Sequence, residues 1–113
     1  MNKQLYKGSL QTIILKLLES HDRMYGYEIT QKVKAMTKDE LVITEGALYP
    51  ALHKLEADGL LEAEHENIGN RVRKYYKLTE KGEVETVNKI EELQQFMATL
   101  EQIFTPQVKP KTI

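Results

Sequence analysis

Four cations and no acid fall between Asn67 and Leu78: Arg71, Arg73, Lys74 and Lys77. Such a local excess of positive charge suits phosphate, because each cation that neutralises a nucleic-acid backbone charge releases condensed counterions. A second constellation lies between Glu45 and Lys54. If Leu48, Leu52 and Leu55 face a core at helical spacing, then Glu45, Gly46, Ala47, Tyr49, His53 and Lys54 lie on or near the opposite faces. Tyr49 and His53 can donate hydrogen bonds to phosphate or base edges, Lys54 can neutralise phosphate, and Gly46 and Ala47 let a backbone approach closely. Glu45 can accept from a cytosine amino group or simply favour a helix N-terminus. Tyr49 as a packed aromatic under a hairpin, and Lys54 as solvated surface, fit the same pattern.

Other chemistries find no residues to carry them. The chain has no Cys, which excludes disulfides, thiolate zinc sites and a cysteine nucleophile and fits a reducing cytoplasm. His21, His53 and His65 are far apart with no paired spacing, so no metal and no cofactor are expected. There is no GxSxG, HExxH or phosphate-cradling glycine loop, and Glu80, Glu83, Glu85, Glu91 and Glu92 read as a solvated helical face rather than paired catalytic acids. No enzyme is expected. Tyr75 and Tyr76 are a poor platform for stacked bases and suit cross-strand packing.

These groups must be positioned by one small domain. At 113 residues, with 41% apolar and 29% charged, the chain can build a single core. Sixteen Lys and Arg against seventeen Asp and Glu give a net charge of -1, so any basic surface has to be local. No apolar run reaches the roughly 18 residues of a membrane span, and Lys16 interrupts the longest near the N-terminus, so a soluble, unexported chain is expected.

Leu10, Ile13, Ile14, Leu17 and Leu18 predict a first helix over 9–20, and Ile29, Val33 and Met36 a second from about Tyr25. Leu41-Val42-Ile43 reads as a short strand. Thr44 can cap a third helix, about 45–58, that ends at Asp58-Gly59 and carries Pro50 one turn inside, where a tightened or kinked start is expected. Leu60–Glu66 and Arg71–Leu78 predict a hairpin around Asn67-Ile68-Gly69-Asn70, with Arg71, Arg73, Tyr75 and Lys77 on one face of its second strand. Thr79 can cap a last helix to Phe104. In it Ile90, Leu93, Met97, Leu100 and Phe104 recur as a heptad seam suited to dimerisation, with Leu5, Leu10 and Ile14 as possible additions. The tail with Pro106 and Pro110 should be loose.

Helix, helix, short strand, helix, hairpin, helix is the order of a winged helix-turn-helix, mainly α with a small β-hairpin. The expected division is a winged-helix domain over 1–79, a dimerisation helix over 80–105 and a flexible tail over 106–113. Lys7-Gly8-Ser9-Leu10, Tyr25-Gly26-Tyr27-Glu28-Ile29, Glu45-Gly46-Ala47-Leu48-Tyr49-Pro50-Ala51-Leu52-His53-Lys54-Leu55-Glu56 with Gly59-Leu60, and Tyr75-Tyr76-Lys77-Leu78-Thr79-Glu80-Lys81-Gly82 carry a further signal. Together they resemble the PadR family of transcriptional regulators, in its compact branch with a single C-terminal helix. The resemblance implies a bacterial, dimeric repressor whose two recognition helices read a palindromic operator in double-stranded DNA.

Gly46, Ala47, Tyr49, His53, Lys54, Arg71, Arg73 and Lys74 are thus the candidate DNA contacts. Members of that family often respond to phenolic acids or flat aromatic drugs, and an aromatic effector could enter a cleft lined by Phe96, Met97 and Phe104, although such a stripe equally serves as core. The rival reading is a winged-helix protein-interaction module without specific DNA binding, which the near-neutral charge permits.

Overall fold

The computed structural model describes residues 1–106. Its elements are α1 (Lys3–Lys7), α2 (Leu10–Ser20), β1 (Met24–Tyr25), α3 (Gly26–Met36), α4 (Glu45–Ala57), β2 (Leu61–Ile68), β3 (Arg71–Leu78) and α5 (Glu80–Phe104). The last part of the expected loose tail, from residue 107 onward, lies outside the described residues.

The helical periodicities carry through except at Met36, which stands 65% exposed at the end of α3. Ile14 and Leu15 of α2, Ile29 of α3, and Leu48, Leu52 and Leu55 of α4 are completely buried in one shared core, closed by Leu60, Leu61 and Tyr76. The Tyr25 N–H donates to the Glu28 carboxylate at 3.1 Å, which satisfies one orphan donor at the start of α3. Despite Pro50, α4 runs unbroken from Glu45 to Ala57; the proline removes only the donor that would reach the Gly46 carbonyl. Thr44 stands at its N-cap without a side-chain bond, so its carbonyl, accepting from Ala47 and Leu48, begins the helix. Gly59, at φ +76°, ends it: the Gly59 N–H returns to Glu56 and the Leu60 N–H to Leu55, a Schellman closure that needs positive φ.

Three expectations are corrected. Leu41-Val42-Ile43 is not a strand; Leu41 and Ile43 bury their side chains, but no neighbouring strand takes their backbone. The short strand is Met24–Tyr25, and it pairs antiparallel with Tyr76 and Tyr75, making a three-stranded sheet in the order β1-β3-β2. The hairpin turn is tighter than the expected four residues: Ile68 pairs with Arg71, leaving Gly69 and Asn70 as the loop. Gly69 alone has positive φ there, the pattern of a type II′ turn. Leu10 and Ile14 are core residues, 4% and 0% exposed, and have no surface to offer a dimer seam.

An element without a sequence signal, α1, is capped by Asn2, whose side chain accepts from the Gln4 N–H. Thr79 caps α5 as expected, accepting from the Gly82 N–H while its hydroxyl donates to the Gly59 carbonyl at 2.6 Å. At 25 residues α5 is about 37 Å long. It packs on α2 near its start, while Phe96, Met97, Ile103 and Phe104 at its far end stand exposed.

Candidate nucleic-acid interface

Burial of Leu48, Leu52 and Leu55 fixes the rotation of α4, and that rotation leaves Gly46, Tyr49, Pro50, His53 and Lys54 exposed. Ala47 is half-buried against the core. On the wing side α4 borders a notch of about 270 Å³ lined by Gly26, Tyr27, Tyr49, His53, Arg73 and Lys74. The Tyr49 ring lies across Gly26 at the start of α3, and 39% of the residue remains exposed. His53 packs beside it with ring centroids 6.4 Å apart. The Lys54 ammonium pairs with Asp58 at 3.1 Å on an exposed face, an arrangement that exchanges readily with a stronger anion.

The wing is less one-sided than its sequence implies. Cross-strand register sets Glu62 opposite Lys77, Glu64 opposite Tyr75 and Glu66 opposite Arg73. Lys77 is held by Glu64 at 2.6 Å and Glu62 at 3.6 Å, and Lys74 by Glu56 of α4 at 3.3 Å. Lys74 therefore ties the wing to α4, with Tyr76 beneath its ammonium. Two arginines retain free charge: Arg71, which has no ion-pair partner among the described residues, and Arg73, which lies 4.0 Å over the Tyr25 ring. Of the four expected cations, only these two have no carboxylate partner among the described residues.

Arg23 escaped the sequence reading. Its guanidinium bonds Glu66 and Glu64 and lies 3.9 Å over Tyr75, which meets Tyr25 edge to face at 5.5 Å. Arg73, Tyr25, Tyr75 and Arg23 form one stacked row across the sheet. Glu66 raises the pKa of Arg23, and Lys77, followed by Arg23, lowers that of Glu64. The only advance signal was the aromatic and basic character of positions 23–25, which becomes informative once β1 is known to pair with β3.

The cleft between α2 and the start of α5 places His21 near several carboxylates, but among the described residues no group of three or more His, Asp or Glu side chains could hold a metal ion. The His21 Nδ1 lies 2.8 Å from the Leu17 carbonyl. Among the described residues no helix is long and apolar enough to cross a membrane.

Residues 14–88 match the Transcriptional regulator PadR-like family. The transcriptional regulator Rv3488 of Mycobacterium tuberculosis is 36% identical over 61 residues, 54% of each chain. A transcriptional regulator from Clostridium thermocellum has the same fold with a TM-score of 0.83 at 29% identity, covering 94% of this chain and 99% of that one. A PadR-like transcription factor from Bacteroides fragilis superposes with a TM-score of 0.72 at 36% identity over 88% and 94% of the two chains. These relatives are regulators, not enzymes, and the sequence blocks around α3, α4 and β3 fall within the matched span. With the winged-helix architecture in place and most of the chain matched, the protein belongs to the PadR-like family of transcriptional regulators.

Proposed function

We propose that this regulator is a homodimeric repressor, each subunit setting α4 into one major groove of a palindromic operator. The half-sites would lie about one helical turn apart, with the wing against the adjacent backbone. The observation that carries this reading is the open stripe of α4, where Gly46, Tyr49, Pro50 and His53 stand exposed above a fully buried leucine edge, with Tyr49 and His53 bordering the same notch as Arg73 of the wing. Arg71, Arg73 and Lys54 hold phosphates, while Tyr49 and His53 reach base edges or phosphate from within the groove.

Self-association is supported by α5. Phe96, Met97, Ile103 and Phe104 are 57 to 73% exposed on one subunit, a concentration of apolar surface suited to a second copy. Ile90, Leu93 and Met97 also line an apolar groove of about 400 Å³ with α2 and α3. A small aromatic effector entering that groove would change the spacing of the two recognition helices and release the operator. This regulator would act in the cytoplasm.

The test is binding of the purified protein to its own upstream promoter fragment and to random duplex of equal length, each at low and near-physiological salt. Tight, salt-sensitive, fragment-selective binding is expected. Equal weak binding to both duplexes would instead favour a winged-helix interaction module.

A further inference from the structure

The first acid in the chain is Glu19; before it come Lys3, Lys7 and Lys16. Lys16 pairs with Glu19, but Lys3 and Lys7 have no ion-pair partner among the described residues. Both line an open groove of about 520 Å³ between α1 and α4, together with Gln4, Gln11, Gly46 and Lys54. Among the described residues, no carboxylate lines it. This is the flank of α4 opposite the wing-side notch: Gly46, Ala47, Pro50, Ala51 and Lys54 face it, whereas Tyr49 and His53 face the other.

The groove is tied to the segment that leads into α4. Tyr6, 5% exposed, donates its hydroxyl to the Val42 carbonyl at 3.2 Å, and the Met1 ammonium donates to the Glu40 carbonyl at 3.2 Å. Both acceptors lie in the connector that leads into α4, so α1 is fastened to the segment that sets the position of that helix.

A B-form major groove is about 12 Å wide, and an α-helix with its side chains is 10–12 Å across. A helix seated there brings its two flanks to the two phosphate strands that border the groove. The wing arginines serve one flank. We propose that Lys3 and Lys7 serve the other, holding the phosphates of the opposite strand in the α1–α4 groove. This rests on the DNA-binding reading above and assigns α1 a role in it.

The experiment compares the full chain with its Lys3→Gln/Lys7→Gln and Lys89→Gln variants, the last removing a charge from α5. Affinity for the promoter fragment and for random duplex is measured from 50 to 200 mM salt, with thermal melts to confirm equal folding. Two lost phosphate contacts should flatten the log–log salt slope by about 1.8, so that the affinity ratio of wild type to double variant shrinks about twelve-fold across that range on both duplexes. A slope in the double variant no flatter than in Lys89→Gln, with wild type binding normally, overturns the proposal and leaves the DNA-binding reading standing. Wild type that shows no salt-dependent binding to any duplex overturns both.

Discussion

The Tyr49 hydroxyl of α4 lies over Gly26, the first residue of α3, so closely that a methyl group on Gly26 would come within 2.6 Å of it. The two helices of the helix-turn-helix thereby meet through a glycine and the end of a tyrosine, and the tyrosine is held at the notch where α4 faces the wing.

Gly26→Ala should therefore move a side chain rather than the backbone. Alanine suits a helix start, and the partly exposed Tyr49 ring can swing outward. The expected loss of stability is below about 1 kcal/mol, with weaker operator binding. Unchanged affinity in a titration, with an intact melt, would show that the placement of Tyr49 is not used.

Gly82→Ala is expected to behave differently, because the added methyl would sit 2.0 Å from the Leu60 backbone carbonyl. Neither α5 nor the α4–β2 turn can yield there without breaking the Thr79 and Lys81 bonds to Gly59 and Asp58. A loss of about 3 kcal/mol or more follows, read from urea denaturation. A loss no larger than that of Gly26→Ala would contradict the tight crossing.

The half-buried Glu64 carboxylate has its pKa held below the ordinary 4.5 by Lys77 first and Arg23 second. Its folded value is depressed, so its contribution is present above the unfolded value and lost as pH falls through the folded one. Glu64→Gln should flatten the decline in melting temperature between about pH 5 and pH 3, and salt should shrink the difference. An identical acid limb in the variant would contradict this pairing.

Met97→Asp/Phe104→Asp tests self-association without touching the core, since both side chains are exposed on one subunit. Light scattering should give the monomer mass with helical content preserved. A dimer mass would remove the far end of α5 from the interface.

Arg71→Ala is the cleanest probe of the wing, because no ion pair among the described residues is lost with it. Binding should weaken on every duplex and the salt slope should flatten by about 0.9. Arg73→Ala should do the same and also release the Tyr25 ring. An unaltered slope in both would place the wing away from the phosphates.

Four helices, the hairpin, the Gly59 stop and the Thr79 cap were legible because each is written in local signals: a 3.6-residue or two-residue apolar period, a residue that tolerates positive φ, a hydroxyl placed to accept from a helix start. The α4 candidates were legible for the same reason, since three leucines at one spacing determine which residues face outward. The five-residue α1 was not, because it is too short for a period and is held by Tyr6 reaching the Val42 carbonyl, 36 residues away.

By itself, then, the sequence determined the four longer helices and the hairpin, which side of each is apolar, and the blocks that mark the family. Only the tertiary structure decided that Met24-Tyr25, not Leu41-Val42-Ile43, joins the sheet, that Leu10 and Ile14 are interior, and which wing cations keep free charge. Arg23 meets Glu64 and Glu66 across 41 and 43 residues. Periodicity states which way a side chain points, whereas register and long-range packing choose what it meets; the balance of charge at the wing depends on the second.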